Sequence, residues 1–310
     1  MRYVLALEYA GFAFCGFQSQ PAHCGVQDAL EDAIGEIAGH PLGVVAAGRT
    51  DAGVHAVSQI VHFDTDAVRP DSAWVRGVNT HLPGDAAVLW AHPVATEFHA
   101  RFAATARHYT YVLLTRAERP GLLAKRVGWY HQPLDIEAMR AGAAHLAGTH
   151  DFSSFRAAEC QAKSPVKTLA RLAIAHEGPF VRFDFSANAF LHHMIRNIVG
   201  ALIYVGAGRQ PPDWIAGLLA ARDRTRAAPT FAADGLYFAG ADYDARFGLP
   251  PSVRSVELSA AGPPQGGSPP GGKTPQASSG GSSTAAGPPQ GGSPPGGKTP
   301  QASSGGPSCT

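Results

Sequence analysis

The feature that most constrains this chain is a change of hydrophobic period that occurs twice in the same order. Residues 3–9 alternate, placing Tyr3, Leu5, Leu7 and Tyr9 on one face of a strand. Residues 26–38 then shift to helical spacing, with Val26, Leu30, Ile34 and Ile37 on one stripe. A strand at 57–63, a helix near 71–79 and a strand near 87–95 follow. The order then recurs. Residues 108–114 read as a strand. A helix opens on Asp135 as N-cap, with Ile136, Met139, Ala143 and Leu146 on one face. Strands follow at 168–176 and 180–186, helices at about 191–206 and 212–222, and a last strand at 235–241. This pattern predicts an α+β chain of two similar halves, residues 1–104 and 105–249. Two short sheets lying side by side leave a cleft between them, and ligand sites favour such clefts.

The periodic signal stops near Pro250, where the composition changes to Gly, Pro, Ser, Gln and Thr. Residues 260–281 recur verbatim at 285–306. Too few apolar groups remain there to offset the entropy of ordering, so 250–310 is expected to be a disordered tail. The preceding residues are enough to bury a sizeable core. No run of about 18 apolar residues offers a membrane span, and MRYVLALEYA has no signal-peptide character, so the expected compartment is the cytoplasm.

Cys15, Cys24, Cys160 and Cys309 form no C-x-x-C pair and are expected to be buried or incidental thiols, not disulfides or zinc ligands. Of the 14 histidines only His192 and His193 are adjacent, and no H-E-x-x-H occurs; no metal is expected. With a net charge of +1, bulk electrostatics does not announce a nucleic-acid partner. The cations are mostly Arg, which suits phosphate forks and stacking on bases, though GC-rich coding accounts for that bias equally well.

The segment AAGRTDAGVHAVSQIVHFDT, 46–65, sets Arg49-Thr50-Asp51 between Gly48 and Gly53 ahead of an apolar strand. Such a loop lets the backbone approach a ligand and projects polar groups from a rigid strand. On spacing alone, an ordinary polar turn with an Asx bond at Asp51 explains it better. The helix 191–206 similarly carries His192, His193, Arg196, Asn197 and Gly200 on one side, which describes a solvated face as well as a cleft wall.

GRTDAGVHA, however, resembles the signature of the TruA-type tRNA pseudouridine synthases. GFQSQP at 16–21, FHARFAATARHYTYVL at 98–113, HDFSSFRAAECQAKSPVKTL at 150–169 and FLHHMIRNIVGALIYVG at 190–206 are similar to further blocks of that family, in order, over residues 3–245. The chain departs from the family pattern at Ala10, Phe12, Phe17 and Ala232.

The resemblance implies the pseudouridine synthase fold, with two ferredoxin-like α+β halves whose sheets flank a central cleft. It also implies the reaction: the N1–C1′ bond of a uridine is broken, the base turned, and the ring rejoined through C5. Asp51 matches the family's essential carboxylate, which either attacks C1′ or removes a proton from C2′. Arg196 matches its basic partner and Tyr109 the aromatic beside the target uracil. Arg49 is expected to fill the space of the flipped base or grip a phosphate, and Leu236 to shape the pocket floor. The implied substrate is the anticodon arm of tRNA at positions 38, 39 and 40, reached by base flipping. A homodimer, no cofactor and no membrane partner complete the expectation. Two other classes remain open. A glycosidase-like hydrolase needs a second carboxylate that no motif supplies. An RNA-binding module without catalysis does not need Asp51, Tyr109 and Arg196 intact.

Overall fold

A computed structural model describes residues 1–256. The repeat at 260–281 and 285–306, and most of the expected disordered tail, lie outside the described residues. In chain order the elements are β1 (Arg2–Tyr9), α1 (Val26–Ala38), β2 (Val45–Ala46), β3 (His55–Asp64), α2 (Val78–His81), β4 (Ala86–Val94), β5 (Ala106–Thr115), β6 (Gly128–Tyr130), α3 (Ile136–Ala144), β7 (Gly148–Asp151), β8 (Val166–Glu177), β9 (Phe180–Ala187), α4 (Met194–Gly206), α5 (Trp214–Ala221) and β10 (Leu236–Asp242). A π-helical turn at Ala73–Gly77 leads into α2.

The strands run β4-β1-β3-β10-β5-β9-β8-β7, with β2 on the side of β3 and β6 on β5. This is the mixed α+β architecture expected, with one difference. The strands of the two halves do not form separate sheets lying side by side. The last strand, β10, inserts between them, pairing parallel with β3 (Tyr237 opposite His55) and antiparallel with β5 (Leu236 opposite Tyr111). A central strand must be apolar on both faces, and Leu236, Tyr237, Phe238, Ala239 and Ala241 are all buried.

Two large cores lie along this sheet. In one, Val26, Leu30 and Ile34 of α1 meet Tyr3, Leu5 and Leu7 of β1 and Phe63 of β3, with Trp74 closing the end. In the other, Met139 of α3 and Ile198, Leu202 and Val205 of α4 cover Tyr111, Phe183 and Phe185. Each fully buried aliphatic contributes about 1.5–3 kcal/mol, so α4 is the most firmly packed helix. Its side chains Ile195, Ile198, Val199, Leu202 and Ile203 are all buried. Asp135 caps α3 by accepting from the Ala138 N–H at 2.9 Å, as predicted.

Two features differ from the sequence reading. Cys15 and Cys24 are joined in a disulfide, with Cα atoms 5.4 Å apart. The loop between them folds back on itself, the Cys15 N–H donating to the Cys24 carbonyl at 2.9 Å, which brings together two thiols that their spacing does not mark as a pair. Residues 250–256, assigned by composition to the tail, pack on the fold. Val253 bridges to Gly240, the Arg254 N–H donates to Ala239, and Val256 is buried against Val112, Leu114 and Tyr237.

Candidate active site

Asp51 lies in the loop between β2 and β3, and this loop is fixed from beneath by buried polar groups. The Tyr9 hydroxyl pairs with Thr50 Oγ1 at 2.7 Å, and Gln59 Nε2 donates to the Gly48 carbonyl at 2.7 Å. The Phe17 N–H donates to the Thr50 carbonyl at 2.9 Å. Burial pushes the Tyr9 hydroxyl up to about 12, partly offset by its bonds to Thr50 and Gln59, so it remains a protonated strut. Gly53 closes the turn at φ 81°, a conformation that a Cβ would strain.

His55, four residues after Asp51 in the same motif and first in β3, is 2% exposed. Its Nδ1 accepts from the Gly11 N–H at 3.1 Å, so the proton sits on Nε2, which faces the Lys125 carbonyl at 2.8 Å and the Asp234 carbonyl at 3.2 Å. Burial lowers its pKa and keeps it neutral. His55 thus ties the start of β3 to two loops of the second half.

The opposite wall is the N-terminal end of α4. Arg196 Nη1 lies 3.3 Å from Asp51 Oδ2, while its Nε donates to the Phe231 carbonyl at 2.8 Å, which fixes the guanidinium plane. His192 Nε2 is 3.3 Å from Asp51 Oδ1 and His193 Nε2 is 3.3 Å from Oδ2. The two imidazoles lie 3.9 Å apart with their planes tilted by 35°, and His193 holds φ 60°, in the sparsely occupied left-handed region. Burial lowers the His193 pKa, the Asp51 carboxylate opposes this, and Arg196 and His192 reinforce it. Contacts of 3.3 Å are long for charge-assisted bonds, and the Asp51 side chain keeps 26% of its surface exposed. The carboxylate is therefore held in place yet remains accessible. Burial is not complete, as a fully dry pocket would require.

Helical spacing predicts that Asn197 and Gly200 share this polar face. Instead Asn197 is fully buried, donating to the Phe155 carbonyl and accepting from Thr230 and Arg224. Gly200 packs against the 229–231 segment, where a Cβ would stand 2.5 Å from the Pro229 oxygen. A residue that reads as polar on a helical wheel is here an internal brace.

Asp51, Arg49, Tyr109, Arg196 and Leu236 all line one cleft of about 1010 Å³. Tyr109 is wedged edge-on between Phe190 and Phe238, with centroids 5.1 and 5.0 Å away. Burial raises its hydroxyl pKa well above the ordinary value, and the neighbouring Tyr9 and Asp51 raise it further. It therefore offers a proton at neutral pH and is not a phenolate base. Leu236 is 5% exposed and belongs to both the core and the cleft. Arg49 is exposed and makes no ion pair among the described residues, which leaves its guanidinium free for a ligand.

The four departures are accommodated locally. Ala10 donates its N–H to Asp85, Phe12 lies under Lys125 and Arg126 with its edge on His55, Phe17 is buried beside Tyr9, and the Ala232 carbonyl accepts from Tyr111 at 3.0 Å. Asp51, His192 and His193 form a group whose ligand-type atoms lie within 4.8 Å of one another. A cation there would sit against Arg196 on the same carboxylate oxygen, which makes the donor set a poor metal site. No helix among the described residues is long and apolar enough to cross a membrane.

Sequence reasoning did not place His192 and His193 beside Asp51, nor Tyr9, Thr50, Gln59 and His55 beneath it. The adjacent histidines were visible, but their meeting with Asp51 is a contact across more than 140 residues. The polar Gln59 within the apolar VSQIVHF run was the one signal for the buried network.

These features can be set beside known proteins. A family profile described as tRNA pseudouridine synthase matches residues 5–103 and 143–244. The chain is 60% identical over 252 residues to tRNA pseudouridine synthase A of Thiobacillus denitrificans, covering 81% of this chain and 97% of that one. It is 58% identical over 250 residues to the protein of that name from Dechloromonas aromatica, covering 81% and 95%. With the Chromobacterium violaceum protein of that name it shares 60% over 259 residues, covering 83% and 99%. Among solved structures, a chain from a Cbf5-Nop10-Gar1 complex aligns at a TM-score of 0.34 and 10% identity over 76% of this chain and 48% of that one, too slight a likeness to bear on the argument. The family profile and identities of 58–60% over nearly the whole length of these relatives establish that this chain belongs to the tRNA pseudouridine synthase family, enzymes that isomerise uridine in transfer RNA.

Proposed function

We propose that the chain isomerises uridines 38, 39 and 40 in the anticodon arm of tRNA, with Asp51 as the essential group acting on the ribose of a flipped nucleotide. The observation that carries this reading is the Asp51 carboxylate at 3.3 Å from Arg196 and at equal distance from two imidazoles, in a cleft that also holds Tyr109. Attack on C1′ and proton removal from C2′ both call for a carboxylate, and Arg196 sets a guanidinium 3.3 Å from its Oδ2. Leu236 and the aromatic pair around Tyr109 keep water from the separated sugar and base, so the base rejoins through C5. Tyr109 presents its ring to the uracil and its protonated hydroxyl to the reacting base. Arg49, free of protein partners, enters the place left by the flipped nucleotide or holds its phosphate.

Substrate and product contain the same atoms and the same electron count, so the reaction calls for no redox cofactor. The chain works in the cytoplasm as a homodimer on this reading, and tRNA is recognised by shape and phosphate contacts spread over many residues. The test is Asp51→Asn, nearly isosteric and uncharged. Nucleoside analysis of anticodon-arm RNA incubated with it should show no pseudouridine, while RNA binding persists. More than a trace of product would remove Asp51 from its role. Uridines changed one at a time at positions 38, 39 and 40 test the site assignment, and sedimentation tests the dimer.

A further inference from the structure

Phe102 is 77% exposed, in a turn that lines the same cleft as Asp51. A lone exposed apolar residue is ordinarily unremarkable. Here, however, the ring and its backbone are held fast. The N–H groups of Arg101 and Phe102 both donate to His99 Nδ1 at 3.2 Å, and Ala103 donates to the His99 carbonyl at 2.9 Å. The Phe102 ring stacks on the His99 imidazole at 4.3 Å with an interplanar angle of 29°, and the Arg101 guanidinium stands 5.6 Å from the ring centre.

The turn is also clamped to the loop of Asp51. Arg107 donates to the carbonyls of Arg101, Ala104 and Asn188, and the same guanidinium reaches the Ala47 carbonyl at 3.3 Å, four residues before Asp51. Beneath the turn, His62 Nδ1 accepts from the Ala100 N–H at 3.2 Å. The arrangement preserves an aromatic surface at the mouth of the cleft at a fixed distance from the carboxylate, with a cation alongside. A hydrophobic side chain serving only stability would be turned inward. One serving a protein interface would have apolar neighbours, whereas Phe102 has the His99 imidazole and the Arg101 guanidinium against it.

We infer that Phe102 is a stacking platform for a nucleobase of the substrate RNA adjacent to the uridine that reacts, with Arg101 placed for the backbone phosphate of that nucleotide. Flipping one base out of a helix removes a stacking partner from its neighbour, and an aromatic face held at the rim replaces it. Stacking is tolerant of base identity, because every base presents a π face, so this subsite adds affinity and register without reading sequence.

The inference rests on the function proposed above, and the experiment separates the two. Full-length wild type, Phe102→Ala, Phe102→Leu and Phe102→Trp are compared on anticodon-arm RNA that carries a fluorescent adenine analogue next to the target uridine. Phe102→Ala should raise KM roughly five- to 150-fold with kcat within about twofold of wild type. Phe102→Trp should restore KM, and Phe102→Leu, apolar but not aromatic, should not. Binding should quench the analogue with wild type and Phe102→Trp, but not with Phe102→Ala. An unchanged KM and quench in Phe102→Ala would overturn the platform, even though all four proteins still make pseudouridine. A change in sedimentation of Phe102→Ala alone would instead assign the ring to contact with a second copy of this chain. Absence of product from every protein, wild type included, would be a failure of the proposed function and not of Phe102.

Discussion

The two walls of the cleft are built from different materials. Among the described residues, the half carrying Asp51 buries seven polar side chains: Asp28, Thr50, His55, Ser58, Gln59, His62 and Thr65. The half carrying Arg196 buries three: Thr110, Ser154 and Asn197. On the first wall a short loop is held by directional bonds, so that its carboxylate has one orientation. On the second, an apolar helix pushes a guanidinium and two imidazoles towards it. A loop has no periodic apolar face with which to fix itself and must use hydrogen bonds, whereas a helix is fixed by packing and can spend its first turn on charge. The first wall should therefore be sensitive to the loss of single polar atoms, and the second to the loss of charge.

The largest effect is expected at the charge. Arg196→Ala removes the one guanidinium on Asp51 Oδ2 and also strands the Phe231 carbonyl. Hydrogen bonds to charged groups contribute about 1.5–3 kcal/mol, so kcat/KM should fall roughly ten- to 150-fold while the protein, less stable for the stranded carbonyl, remains folded. Arg196→Lys should recover part of the rate, since it restores charge without the fork. If Arg196→Ala instead unfolded the protein at ordinary temperature, the second wall would depend on polar bracing after all.

An intermediate effect is expected beneath the loop. Tyr9→Phe leaves Thr50 Oγ1 without its partner, and Thr50→Val leaves the buried Tyr9 hydroxyl with only the long contact from Gln59 Nε2 at 3.4 Å. Each should cost about 1–3 kcal/mol of stability by denaturant unfolding, and the double variant less than the sum. Additive costs would show that the two groups do not act as one strut.

The effect that is smallest at neutral pH is the response to acid. Burial, with Arg2 and His99 nearby, lowers the His62 pKa to about 4, against smaller opposing contributions from Asp64 and the Val45 backbone. A folded pKa below the unfolded value of 6.5 means that the unfolded chain takes up its proton first as pH falls. Stability contributed by neutral His62 is thus complete above about pH 6.5 and declines from there towards pH 4. Melting temperature measured across that window should fall, and His62→Gln should flatten the decline. An unchanged slope in the variant would place the acid sensitivity elsewhere.

How much of this the sequence disclosed follows from the range of the interactions. Periodicity located α1 to the residue and put β1, β5, β9, α4 and β10 within a few positions, because burial on one side imposes a repeat that local spacing reports. It missed β6 and β7, which are too short to show a period. It could not show that β10 sits between β3 and β5, since its flanking strands are distant in the chain. The disulfide escaped for the same reason, as Cys15 and Cys24 meet through a folded-back loop and not through a motif. The candidate site divides likewise. Asp51, Arg196, Tyr109, Arg49 and Leu236 came from a resemblance carried by short ordered blocks. The paired histidines and the struts under Thr50 came only from three-dimensional contact.

The placement of β10 has a consequence for the order in which the chain is made. Synthesis proceeds from the N-terminus, and the strand that unites the two halves is the last of the described strands to be produced. Until it emerges, β3 and β5 each present an open edge of unpaired N–H and C=O groups, the kind of edge that recruits other chains. The β3–β10 pair also joins Ala56 to Phe238, a closure that must wait on nearly all of the intervening chain. The nascent protein therefore passes through a period in which its sheet is unsealed at the centre and both cores lack the residues that β10 supplies, and assembly of the cleft walls into one unit waits on that strand.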